Sequence, residues 1–266
     1  AVVVHRINEC DERKNTKTVN FRLRLANYVA DHTVFVGSWL KELGVWFERD
    51  DSKSSVILNG AEPKVFHSIG QIAWDGIEPL KLVTHHWGGN WMKGFDVYQR
   101  IDEMLAESRW KGRIRFTYIG NIPKGFEFEN ATLIEPLDSS RLANELRNHH
   151  VYVTASMNEP GGNHQNEGAL CGLPLIFRNS GSMPEYCSGY GLMFEGLMDF
   201  EIVLDQMTKE YSNWKERITK YPHRIDQTIG NYLKLFEVLC SNRSEILADR
   251  KLWSSLPLLL LNQIKV

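Results

Sequence analysis

Short apolar runs alternate with longer amphipathic stretches along this chain, the order expected of strands joined by crossover helices. "AVVVH" at the start reads as a buried strand. Val19, Leu23, Ala26 and Ala30 then recur at helical spacing, and "TVFVG" (Thr33 to Gly37) predicts the next strand. Ser38 is placed to cap a short helix over "SWLKELG", and "SSVILNGA" predicts a strand that runs into a turn. Between about Ala61 and Pro79 the periodicity fades and Pro and Gly collect, which marks a connection between domains.

A second series follows. "LKLVTHH" is a strand, "MKGFDVYQRIDEMLAES" a helix and "RIRFTYIG" a strand. "ATLIEPL" comes next, then a helix that Asp138 or Ser139 would cap. "VYVTAS" leads into the segment "SMNEPGGNHQNEGALCGLP", and "LPLIFR" follows the helix predicted there. This βαβα order predicts an α/β fold with a parallel, doubly wound sheet. From Asp199 to Leu239 the pattern is helical and is expected to close that domain.

Charge narrows the partners. Lys plus Arg number 31 against 33 Asp plus Glu, a net charge of -2, with no basic block. Nucleic acid is therefore not expected. Cys10, Cys171, Cys187 and Cys240 are scattered without metal-binding spacing, so buried thiols in a reducing, cytoplasmic compartment are expected. No secretory signal is visible, and the run Leu258 to Leu261 falls far short of the ~20 apolar residues that span a bilayer. The tail after Cys240 fits either a packed helix or a segment at a membrane or partner surface. The chain opens inside a strand-like run without Met, so a piece of a longer product is expected.

Candidate chemistry gathers where the ligand crevice of an open α/β sheet belongs, beyond the carboxyl ends of the strands. In "VTHHWGGNWMKGF" a strand ends, Gly88 and Gly89 allow a tight loop, and Lys93 stands at the start of a helix. Backbone N–H groups there can approach an anion and the ammonium can neutralise phosphate. In the double-glutamate segment, Pro160, Gly161 and Gly162 argue against one continuous helix. Glu159 is then expected on a loop, and Glu167 on the first turns of a helix opening near Asn163. Gly161 and Gly162 would offer N–H donors to phosphate, and Glu167 has two oxygens suited to the vicinal hydroxyls of a ribose. Glu159 would grip the hydroxyls of whatever the phosphate carries. Two carboxylates also suit a glycosidase or a metal site, but the glycine-rich anion site beside them favours neither. In "RNSGSMPEYC", Ser182 is placed to cap another short helix. His85-His86 and His149-His150 do not read as metal sites, because adjacent strand residues face opposite ways.

Together these segments resemble the family 4 (group 1) glycosyltransferases. Glu159 through Glu167 is similar to that family's E-x7-E element, followed by a small-residue helix and "CGLP". "GSMPEYCSGYGLMF" resembles its Gly-Gly-x-Pro-Glu turn, and "HRINECDERK" and "ADHTVFVGSWLKE…VILNGAE" resemble the end of its first domain. The match covers most of residues 1–240 and keeps the family's order. It implies a GT-B fold: the C-terminal part of an N-terminal, acceptor-side Rossmann-like domain over 1–66, a donor-binding Rossmann-like domain over 67–240, and a tail over 241–266. It also implies metal-independent transfer, with retention and without a cofactor, from a nucleotide-diphosphate sugar to a glycan, lipid or other hydroxyl acceptor. Carried over by position, Glu159 contacts the donor sugar and Glu167 the ribose. Lys93 holds the diphosphate, Gly161 and Gly162 give backbone contacts, and His5 reaches toward the transferred sugar. The backbone around Leu133 to Pro136 would read the base. No D-x-D sequence, the usual metal-binding signature of other glycosyltransferases, occurs in the chain.

Two departures stand out. The arginine the family carries shortly before its lysine is missing from "HHWGGNWM", so either His85 or His86 substitutes or diphosphate affinity is weaker. If His5 stands where the family has it, the first strands of the acceptor domain and its Gly-rich loop lie outside this chain. The alternative is then a nucleotide-sugar-binding module, inactive alone, that needs a partner subunit or a missing N-terminal segment. A sugar-nucleotide epimerase of the same fold ranks below both.

Overall fold

The computed structural model describes residues 1–46 and 51–250. β1 (Val4–Ile7) starts later than "AVVVH" suggests, because pairing begins where β2 (His32–Phe35) lies alongside, in the register Val4↔His32 to Ile7↔Phe35. Between them lie α1 (Asp11–Lys14) and α2 (Val19–Asn27). "SWLKE" forms a 3₁₀ helix over Ser38–Glu42 whose N-cap is Gly37, so Ser38 opens the helix rather than caps it. β3 (Ser54–Val56) completes a three-stranded parallel sheet in the order β1-β2-β3. Ile7, Cys10, Phe35, Val36 and Leu40 are fully buried in its core.

The second unit spans Gly60–Arg224. Its elements are β4 (Leu80–His86), α3 (Phe95–Ala106), β5 (Ile114–Gly120), β6 (Thr132–Ile134), α4 (Ser139–Arg147), β7 (Val151–Thr154), α5 (His164–Leu170), β8 (Leu175–Arg178), α6 (Met183–Cys187), β9 (Gly191–Phe194) and α7 (Leu197–Ile218). The six strands are all parallel, in the order β6-β5-β4-β7-β8-β9. From β4 the chain steps outward to β5 and β6, then returns to β7 on the other side of β4. The β4/β7 boundary is therefore the topological switch point, the place beside which ligands bind in open α/β sheets.

Burial explains these elements. β4 and β5 are largely buried on both faces, as strands covered by helices are, with Thr84, His85, His86 and Thr117 among their buried polar residues. α3 buries Phe95, Tyr98, Ile101 and Met104, and α7 buries Phe200, Val203, Leu204, Met207 and Tyr211, each set on one helical face against the sheet. The helix expected over "MKGFDVYQRIDEMLAES" is divided: Trp91–Lys93 is a 3₁₀ turn, Gly94 sits at φ +98°, and α3 begins at Phe95. Asp138 caps α4 by accepting the Arg141 backbone N–H at 3.0 Å.

α8 (Ile225–Ser241) does not close this sheet. It and α9 (Arg243–Ala248) belong with residues 1–59. Thr228 donates to the Leu58 carbonyl at 2.9 Å, and Arg6 Nε donates to the Tyr232 hydroxyl at 3.1 Å. The compact units thus divide at 59/60 and 224/225, where the sequence suggested 66/67 and 240/241. An amphipathic pattern shows that one face is covered, not what covers it. Cys10, Cys171 and Cys187 are buried, and burial pushes the first two thiols up to about 12; Cys240, on α8, is exposed. Among the described residues no helix is long and apolar enough to cross a membrane. Of the expected tail, 251–266, with Leu258 to Leu261, lies outside the described residues.

Candidate functional site

The loops that follow β4 and β7 meet at the switch point. The Met157 N–H donates to the Met92 carbonyl at 2.8 Å, which ties one loop to the other. A Cβ on Gly94 would lie 2.4 Å from that of Ala155, so glycine is required there by contact as well as by its positive φ. This approach brings Lys93 Nζ within 2.6 Å of Glu159 Oε2. The two side chains are only 11% and 2% exposed, so the ion pair is largely withdrawn from water.

Glu159 lies on the loop and Glu167 in the first turn of α5, as expected. Glu167 Oε2 is 2.6 Å from Nε2 of His85, whose Nδ1 lies 3.1 Å from the Tyr152 hydroxyl. His86 turns to the other face of β4, where its Nε2 is 2.8 Å from the Tyr98 hydroxyl. His85 thus packs toward the α5 side of the sheet with Glu167 and Tyr152, and His86 toward Tyr98. His149 and His150 likewise diverge. His149 pairs with Thr117 and the Glu145 carbonyl, while His150 Nδ1 accepts the Lys81 N–H at 3.0 Å.

A buried scaffold holds the loops. The Tyr98 hydroxyl accepts the Ala155 N–H at 3.2 Å. Arg178, at the end of β8, makes a bidentate pair with Asp96 at 3.1 and 2.6 Å and donates to the Ala155 carbonyl at 3.2 Å. Sequence reading passed over Tyr98, Tyr152 and Arg178, because their partners are far away in the chain and leave no local motif.

The turn after β8 supports Glu159 from behind. The Ser182 N–H donates to the Glu159 carbonyl at 2.9 Å. Gly181 has φ +60°, and a Cβ there would stand 2.6 Å from the Glu159 backbone N and O. Ser182 occupies the N-cap of α6, yet its side chain makes no capping bond. Its Oγ, like the Ser156 Oγ and the Gln165 Oε1, is buried without a hydrogen-bond partner among the described residues.

The glycines play mixed parts. Gly88 has room for a side chain or ligand, whereas a Cβ on Gly89 would come 2.6 Å from the Ile122 carbonyl oxygen. Gly89 is thus needed for packing. Gly161 is half-buried, and Gly162 leaves space that the His164 ring fills. Leu133 pairs with Tyr118 in β6 and Pro136 follows, both at the edge of the sheet where the strands end. His5 lies on β1 in the first unit, where burial lowers its pKa below the usual imidazole value. Among the described residues no group of three or more His, Cys, Asp or Glu side chains is arranged to hold a metal ion.

No family model and no curated protein sequence matches the chain. Solved structures do. HepE of Anabaena in complex with UDP is 12% identical, with a TM-score of 0.69 over 90% of this chain and 72% of that one. Sucrose-phosphate synthase from Thermosynechococcus elongatus is 16% identical, with a TM-score of 0.65 over 90% and 68%. A glycosyltransferase from Rickettsia africae is 13% identical, with a TM-score of 0.61 over 93% and 71%. At such identities the likeness is one of fold, and the fold is the α/β, GT-B type with parallel sheets.

Proposed function

We propose that this chain is a glycosyltransferase that takes a sugar from a nucleoside-diphosphate donor held at the β4/β7 switch point. The observation that carries the proposal is the Lys93–Glu159 pair joining the loops after β4 and β7, with Glu167 on the helix that follows and paired to His85 at the end of β4. The solved complexes of HepE with UDP and with UDP-glucose, which share the fold, support it.

In this account Lys93 neutralises the diphosphate, and Glu159, relieved of its cation, accepts from hydroxyls of the donor sugar. Gly161 and Gly162 give backbone contacts, Gly88 leaves room for the phosphates, and Glu167 accepts from the ribose. The backbone from Leu133 to Pro136 lines the base. The role of His5 toward the transferred sugar rests on the resemblance to family 4 alone. The anomeric C–O bond to the diphosphate breaks, a bond to the acceptor oxygen forms on the same face, and the acceptor proton passes to the departing phosphate oxygen. Stabilisation of the developing phosphate charge is then the main catalytic contribution of the protein. Transfer proceeds with retention, without a metal or cofactor, to a hydroxyl of a glycan or lipid.

Two variants test the assignment. Glu167→Ala loses two charge-assisted hydrogen bonds of about 1.5–3 kcal/mol each, so nucleoside-diphosphate affinity should fall at least a hundredfold. Glu159→Gln should leave that affinity within a few-fold but impair binding and turnover of the nucleotide sugar. Equal damage to both ligands in both variants would overturn the division of roles.

A further inference from the structure

Two side chains stand behind Glu167 that the transfer chemistry does not use. His85 Nε2 meets Glu167 Oε2 at 2.6 Å, and the opposite ring nitrogen, Nδ1, lies 3.1 Å from the Tyr152 hydroxyl. The Tyr152 oxygen also accepts the His85 backbone N–H at 3.2 Å. Its proton is therefore directed away from that bond; Nδ1 at 3.1 Å is nearer than the His85 carbonyl at 3.4 Å, and Thr84 also reaches the hydroxyl. Tyr152 is fully buried, and burial holds its pKa well above the ordinary value, so it keeps that proton. With Nδ1 as acceptor, Nε2 carries the ring hydrogen and donates to the carboxylate. The other neutral tautomer would set a nitrogen lone pair against a carboxylate oxygen at hydrogen-bond distance.

Tyr152 acts on Glu167 a second way. A Cβ on Gly168 would fall 2.4 Å from the Tyr152 ring, so α5 rests directly on that ring next to the glutamate. One residue of β7 thus fixes both the height of the helical turn and the hydrogen that orients its carboxylate. Glu167 remains 21% exposed, open on one side to a ligand.

We propose that His85, held by Tyr152, is a positioning residue for Glu167, and that this relay sets a preference of the site for ribonucleotides over 2′-deoxyribonucleotides. The inference rests on the assignment of Glu167 to the ribose. A carboxylate anchored at one oxygen presents its remaining lone pairs in a fixed plane, so two adjacent hydroxyls are accepted together. Without the anchor the side chain rotates, and the gain from the second hydroxyl is lost to ordering it.

The test is titration of the full chain with UDP, GDP and ADP, each against its 2′-deoxy counterpart. The wild type should prefer the ribonucleotide that binds by at least about tenfold, the worth of one charge-assisted hydrogen bond. His85→Phe should bring that ratio close to one while affinity for the 2′-deoxynucleotide barely changes. A merely structural role would weaken both ligands together. His85→Gln, whose amide N–H reaches where Nε2–H stood, should keep most of the ratio. If His85→Phe does not fold, Tyr152→Phe carries the test and should lower the ratio severalfold.

A ratio lost in Glu167→Ala but unchanged in His85→Phe, or in Tyr152→Phe, would overturn the relay and leave the ribose assignment standing. A folded wild-type chain that binds no nucleotide, or binds both sugars equally, would overturn both.

Discussion

Lys93→Met probes the buried ion pair on which the site is built. Methionine keeps most of the length and the apolar stem of lysine and removes its ammonium group. Glu159, 2% exposed, would then lose the ammonium that lies 2.6 Å from its carboxylate. Breaking a buried pair in this way costs about 3–5 kcal/mol, and the lower figure suits Lys93, whose tip keeps some contact with water. In a domain of this size each kcal/mol moves Tm by about 2–4 °C. Lys93→Met should therefore melt on the order of 10 °C below wild type in scanning calorimetry at neutral pH. Adding Glu159→Gln should recover most of the loss, because an amide needs no counter-charge, and the coupling is read directly from that double-mutant cycle. A single variant melting within about 3 °C of wild type would mean that the pair is already solvated or compensated elsewhere.

Two further effects are expected. Gly181→Ala forces a Cβ into a left-handed turn 2.6 Å from the Glu159 backbone, so kcat/KM for transfer should drop by at least about tenfold. Nucleoside-diphosphate affinity should stay within a few-fold, and unchanged turnover would show that the turn can yield. Burial also lowers the pKa of His149, and lowers those of His150 and His223 to about 4 from the usual 6.5. The folded state then binds fewer protons than the unfolded one between those values. Stability present above pH 6.5 is lost as the pH falls toward 4. The urea midpoint should decline steadily from pH 7 to pH 5; a flat profile would contradict it.

Strands were legible in the sequence where short runs rich in β-branched and aromatic residues stood between turn signals, as in "LKLVTHH" and "RIRFTYIG". The two glutamates were legible because Pro160, Gly161 and Gly162 between them fix a loop before a helix. What escaped was set by distant partners. Lys93 and Glu159 are 66 residues apart, and His85 and Glu167 are 82 apart, so no local spacing predicts that they pair. The break at Gly94 follows from Ala155 pressing on it, which a helical period cannot show. α8 fits the amphipathic pattern equally well in either unit, and its contacts, among them the hydrogen bonds to Arg6 and Leu58, place it with the first. Ser182 had the right residue type for a cap, but the turn that holds Glu159 uses its backbone instead.

The measurement that bears most directly on the central claim is calorimetric titration of this chain with UDP-, GDP- and ADP-sugars, with Glu167→Ala as control. The account predicts saturable binding of one nucleotide class by the wild type, lost in the variant. A folded chain that binds none of the three, or binds one equally well without the Glu167 carboxylate, would contradict the assignment of the β4/β7 crevice to a nucleotide-sugar donor.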